Sequence, residues 1–88
     1  MRVKIRLFAS FREAAGTKEV ELEVPDGSRV LDVVREMAER FPKLKDMLLK
    51  EDGIREGYHI VKGGRWLKES DLLMDGDKIA IFPMVGGG

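Results

Sequence analysis

Two short runs of alternating apolar and polar residues constrain the fold of this chain more than any other feature. They are VKIRLF (3–8) and KEVELEV (18–24), and in each the aliphatic side chains recur at every second position. A period of two residues is that of a strand with one buried face. The two runs therefore predict an antiparallel hairpin across residues 9–17, in a sheet with one face that needs a cover.

A single amphipathic helix is predicted to supply that cover. Apolar residues recur from Val30 to Phe41 at helical spacing, Ser28 is the expected N-cap, and Pro42 ends the pattern. A second, short helix is predicted over 44–50. One sheet face is therefore covered by one main helix.

The second half of the chain predicts three more strands. A loop over 51–57 precedes YHIVKGGRWLKE (58–69), which holds two short β runs around a glycine pair suited to a tight hairpin. The turn at 75–77 then leads into KIAIFPM (78–84), which alternates again. The element order predicts an α+β roll. A helical crossover can return the last strand beside the first and parallel to it, in the mixed sheet of a β-grasp (ubiquitin-like) fold, although this order also fits other arrangements.

Composition excludes several classes of function. The chain of 88 residues has no cysteine, which excludes a disulfide framework, a thiolate metal site and a cysteine nucleophile. Its 16 Lys and Arg balance 16 Asp and Glu, so it lacks the positive field of a nucleic-acid-binding protein. The apolar run at the N-terminus is too short for a signal peptide or a membrane span. We expect a cytoplasmic protein that binds neither nucleic acid nor membrane.

Conventional catalytic and metal sites are poorly supported. His59 is the only histidine, and no spacing links it to an acid and a serine. Asp75-Gly76-Asp77 lacks the other ligands of a calcium loop and predicts a turn. We therefore predict no bound metal or cofactor.

Aromatic residues on the outward face of two strands are harder to explain by folding alone. Strand parity points Phe8 and Phe82 away from the helix, and a β-grasp fold would place their strands side by side. Trp66 is a third candidate for the same patch. The alternative is that a loop or the 44–50 segment covers these rings.

The chain closes on FPMVGGG (82–88), a strand-like run followed by three glycines. Glycine is the residue that is most costly to order, so these residues add nothing to a core. A domain over 1–83 with a flexible tail over 84–88 is predicted. Such a tail is either without function or is used while flexible.

Three segments together resemble the MoaD/ThiS-type ubiquitin-like sulfur carriers: LFASFREAAG (7–16), the DGD turn with KIAIFP (75–83), and VGGG (85–88). The resemblance covers the whole chain. It implies that Gly88, next to Gly87, is activated as an acyl-adenylate and becomes a C-terminal thiocarboxylate that donates sulfur for molybdopterin synthesis. Glycines without Cβ would let this end enter a narrow active site.

The resemblance also implies partners. An E1-like adenylating enzyme (MoeB/ThiF type) would use ATP, and a molybdopterin synthase large subunit (MoaE type) would carry the active-site residues, which makes this chain the non-catalytic small subunit. The expected partner-binding residues are Phe8, Trp66, Phe82, Pro83, Met84, Val85 and Gly86. A ubiquitin-like modifier joined through Gly88 to target lysines is the alternative. An interaction domain with an inert tail, and sulfur delivery to tRNA, thiamine or cysteine, also remain open.

Overall fold

The computed structural model describes residues 1–84 of the chain. The helices are α1 (Ala9–Ala15), α2 (Val30–Arg40) and α3 (Pro42–Leu48). The strands are β1 (Arg2–Leu7), β2 (Glu19–Glu23), β3 (Leu49–Lys50), β4 (Gly53–Ile54), β5 (Tyr58–Lys62), β6 (Arg65–Trp66) and β7 (Lys78–Pro83).

The main sheet has five strands in the order β2-β1-β7-β5-β6. Strand β1 pairs antiparallel with β2 and parallel with β7, and β5 is antiparallel to both β7 and β6. Strands β3 and β4 form a separate two-stranded ladder. The last strand therefore lies beside the first and parallel to it, and the predicted β-grasp fold is confirmed.

The core lies between the sheet and the helices. The alternation in β1 and β7 buries one side chain in two, and α2 buries a stripe at the predicted spacing. The fully buried large side chains include Ile5, Leu7, Leu22, Met37, Leu44, Leu48, Leu73, Ile79 and Ile81. The opposite face of the sheet is left open.

The predicted connection across 9–17 is wrong in one respect, because it contains the helix α1. This helix has only seven residues and buries only Phe11, so it carries no repeating apolar stripe for a periodicity argument to detect. Gly16, with φ of 75°, ends it in a left-handed cap.

Two boundaries around α2 and α3 also differ from the prediction. Ser28 is not the N-cap: it is buried and its hydroxyl donates to the Pro25 carbonyl at 2.7 Å, while Arg29 occupies the cap position. The short helix predicted over 44–50 is α3, which begins at Pro42 because an N–H in the first turn has no partner within the helix. It ends at Leu48, and residues 49–50 form β3 instead. The predicted loop over 51–57 includes β4.

None of the helices within residues 1–84 is both long and apolar enough to cross a membrane.

Tyr58 joins β5 to the end of α3. Its hydroxyl donates to the Leu48 carbonyl at 2.7 Å, and its ring packs edge-on against Phe11 with the centroids 5.4 Å apart. Burial, followed by the negative charge of Glu69, raises the pKa of the Tyr58 phenol well above its usual range. The neutral phenol is therefore the form that the fold stabilises.

This predicts an alkaline limit to stability. The pKa of the phenol is about 10 in an unfolded chain, and it is higher in the folded protein. The free energy of unfolding should therefore fall as the pH rises above about 10, because the unfolded state releases the proton more readily. Tyr58 is the only tyrosine, so near-ultraviolet absorbance against pH reports it alone. Equal midpoints for folded and denaturant-unfolded protein would contradict the prediction.

Candidate functional site

The open face of the sheet carries two different surfaces. On the β2 side, Glu19, Glu21 and Glu23 stand opposite the cations of β1 in the antiparallel register. Arg2 makes ion pairs with Glu21 and Glu23 at 3.2 and 3.3 Å. Ion pairs at an exposed face contribute little to stability, but they balance charge locally. This half of the face is polar.

The other half is aromatic. The ring centroids of Phe8 and Phe82 are 6.2 Å apart in a T-shaped arrangement. His59 lies 5.8 Å from Phe82 and stacks on Trp66 at 4.2 Å with an interplanar angle of 29°. We call these four side chains the aromatic patch. It runs from the end of β1 across β7 and β5 to β6.

Sheet register explains why these rings meet. His59 lies opposite Phe82 in the β5–β7 pair, and Val61 lies opposite both Ala80 and Trp66. The Phe8 amide donates to the Ile81 carbonyl at 3.2 Å, which extends the β1–β7 contact by one residue. Each ring therefore falls on the open face because its neighbours in the strand fill the core.

A shallow groove crosses the patch between the ends of β1 and β7. It is lined entirely by apolar residues: Phe8, Ala9, Val61, Ala80, Phe82 and Pro83. We call it the apolar groove. Contiguous apolar surface of this kind on a small domain commonly marks an interaction site.

The structure brings most of the predicted partner-binding residues together. Phe8 is 40% exposed and Trp66 is 68% exposed, while Phe82 and Pro83 are half-buried. The segment around 44–50 does not cover them, because Leu44 and Leu48 of α3 are buried in the core.

Ala9, His59, Val61 and Ala80 are members of this surface that the sequence prediction did not include. The parity of β5 and β7 was the available signal for three of them, once the two strands are known to pair. Ala9 lies outside any strand, so strand parity gives no signal for it.

The structure describes only the first residue of the predicted C-terminal tail over 84–88. Met84 is 53% exposed, and its amide donates to the Gly57 carbonyl at 2.9 Å, so the chain stays attached to the start of β5 up to this point. Val85, Gly86, Gly87 and Gly88, which were also predicted site residues, lie outside the described residues. Two residues that line the apolar groove, Phe82 and Pro83, come shortly before them in the chain.

Residues 1–84 contain no group of three or more His, Asp or Glu side chains arranged to hold a metal ion. Lys62 and Asp77 pair at 3.0 Å, and Asp77 also accepts from the Met74 amide. These contacts stabilise the turn before β7.

Comparison with known proteins gives consistent matches along the chain. The ThiS family model matches residues 5–88. Small archaeal modifier protein 3 of Haloferax volcanii is 33% identical, and the molybdopterin synthase sulfur carrier subunit of Chlamydomonas reinhardtii is 31% identical, each with 100% of both chains covered. The crystal structure of SAMP1 from Haloferax volcanii is 26% identical and superimposes with a TM-score of 0.91 over 100% of both chains.

Proposed function

The chain belongs to the ThiS family, and on that basis we propose that it is a sulfur carrier whose Gly88 becomes a thiocarboxylate and donates sulfur for molybdopterin synthesis. In this role it is the small subunit of a molybdopterin synthase. The observation that carries the proposal is the aromatic patch, whose central residue, Phe82, lies in β7 five positions before Gly87 of the diglycine.

The chemistry begins with activation, because a free carboxylate is a poor acyl donor. A Gly88 carboxylate oxygen attacks the α-phosphorus of ATP on an E1-like adenylating enzyme, and pyrophosphate leaves. A sulfur nucleophile at the oxidation level of sulfide, HS⁻, then attacks the acyl carbon, the bond from this carbon to the AMP oxygen breaks, and AMP and a proton leave. The net change in the carrier is one oxygen replaced by one sulfur, and the protein supplies the carbonyl carbon and no side chain.

The short length of the C-terminal segment explains why a docking surface should lie close to Gly88. Five residues follow Pro83, from Met84 to Gly88, and they span at most about 18 Å when extended. An enzyme that acts on Gly88 must therefore approach to within this distance of the apolar groove. Exposed aromatic rings that become desolvated are effective anchors for such a partner.

The large synthase subunit is the second partner in this proposal. It supplies the active-site residues, and the carrier presents its thiocarboxylate from the same surface. A relative with full coverage carries the name molybdopterin synthase sulfur carrier subunit, which supports this assignment. ATP is used by the activating enzyme, and the carrier itself needs no cofactor.

A ubiquitin-like modifier is the second candidate. The relative with 33% identity over the full chain is named small archaeal modifier protein 3, which favours conjugation of Gly88 to lysines of target proteins. Both uses need the same adenylate. They differ in whether a sulfur or a lysine amine attacks the acyl carbon.

The test is to isolate tagged protein from its own host and to analyse the bound material by mass spectrometry. A synthase subunit should copurify with one large partner at equal stoichiometry, in an interface of about 1,600 Å² or more. It should also carry the mass of the oxygen-to-sulfur exchange. Abundant glycine remnants on lysines of many proteins, with no large subunit, would instead favour the modifier.

A further inference from the structure

Ala9 has a backbone conformation that is unusual for its residue type. Its φ is 51°, and it is the only residue other than glycine with a positive φ among residues 1–84. The other seven positions with positive φ in this part of the chain are all glycine. In the left-handed region a Cβ crowds the backbone, which glycine avoids.

The positive φ serves a sharp change of direction. Phe8 is on the open face of the sheet, whereas Phe11, three residues later, is 4% exposed and packs in the core against Tyr58. The chain must therefore pass from one side of the sheet to the other between them. Glycine at position 9 would make the same turn without a Cβ in the left-handed region, so the turn itself does not require alanine.

The Ala9 methyl group has no place in the core. The residue is exposed and is absent from the core cluster among the described residues. It instead lines the apolar groove beside Phe8, Phe82 and Pro83. A strained residue at a surface site is a reason to look for a function that the strain serves.

We infer that Ala9 is a docking residue of the apolar groove. Its methyl group contacts an apolar side chain of the adenylating enzyme that activates Gly88, and its restricted backbone holds the Phe8 ring towards the same enzyme. The inference rests on the proposed function, which brings that enzyme within reach of the groove. A Cβ at position 9 adds apolar contact and restricts the backbone next to Phe8. Restricting a surface before binding improves affinity, because less motion is lost in the complex.

The test compares four proteins by calorimetric titration against a cognate E1-like adenylating enzyme and by thermal unfolding. They are the wild type, Ala9→Gly, Ala15→Gly and Phe82→Lys. Ala15 is the matched control, because it ends the same helix and packs partly against the core, away from the groove.

Ala9→Gly should weaken binding by about 3- to 10-fold, from the loss of one buried methyl contact and of backbone restriction. Its Tm should be unchanged or raised by up to about 5 °C, since relief of strain offsets the greater freedom of the unfolded chain. Ala15→Gly should lower the Tm by on the order of 4–8 °C and leave the affinity unchanged. Ala9→Gly should thus lower the affinity without lowering the Tm, and Ala15→Gly should lower the Tm without changing the affinity.

Two results would overturn the inference while leaving the proposed function intact. One is wild-type affinity for Ala9→Gly in an experiment where Phe82→Lys binds weakly. The other is a fall in the Tm of Ala9→Gly as large as that of Ala15→Gly, which would make Ala9 a folding residue. If the wild type itself does not bind the enzyme, the proposed function is wrong and the inference falls with it.

Discussion

Deletion of Gly88 is expected to abolish thiocarboxylate formation, with a loss of activity too large to measure, and to leave the domain folded. The proposed acyl carbon is that of the last glycine, and a chain shortened by one residue ends about 3.5 Å short of the position where ATP is attacked. Misplacement on this scale removes the advantage of a positioned reactant. The readout is the oxygen-to-sulfur mass change after incubation with the adenylating enzyme, ATP and a sulfur source.

Gly88→Ala is the matched control for this deletion. It keeps the length and the terminal carboxylate and adds one Cβ, so it should be activated slowly if the enzyme's channel admits only glycine. Thermal unfolding should be the same for all three proteins, because the core cluster spans residues from Val3 to Ile81. Normal thiocarboxylation of the shortened chain would refute the proposed role of Gly88.

Phe82→Lys is expected to weaken binding to the adenylating enzyme by about 30-fold or more, which corresponds to about 2 kcal/mol. Phe82 touches both Phe8 and His59, so it lies at the centre of the aromatic patch. A lysine there would bring a hydrated cation into a surface that must be desolvated on binding. The free energy of unfolding should fall by no more than about 1 kcal/mol, because the ring lies on the open face.

Leu72→Lys controls for the added charge. Leu72 is 54% exposed and does not line the apolar groove, so the same change of an exposed apolar side chain to lysine should leave binding unaltered. Titration calorimetry measures the affinities, and denaturant unfolding measures the stabilities. Unfolding of Phe82→Lys would show that its ring supports the core, and equal affinities for both variants would remove the patch from the docking surface.

The sequence by itself determined the five strands of the main sheet and the main helix. Alternation in 3–8 and 18–24 and the stripe from Val30 to Phe41 are properties of neighbouring residues, and each element buries one face for that reason. The same parity predicted that Phe8 and Phe82 face away from the helix. The diglycine at 87–88 could also be identified from the sequence, because its proposed use depends on the lack of a side chain rather than on packing.

Only the tertiary structure decided how these elements form a surface. Helix α1 has no periodic signal, since Phe11 is the one fully buried residue of this helix. His59 joins the patch because β5 pairs with β7 in one register out of several that its sequence allows. Ala9 has its positive φ because the chain must cross from the open face at Phe8 to the core at Phe11. The register of β5 on β7, and the packing of Phe11 against Tyr58 that fixes where the chain crosses the sheet, depend on residues far apart in the chain. Local sequence patterns therefore cannot specify them.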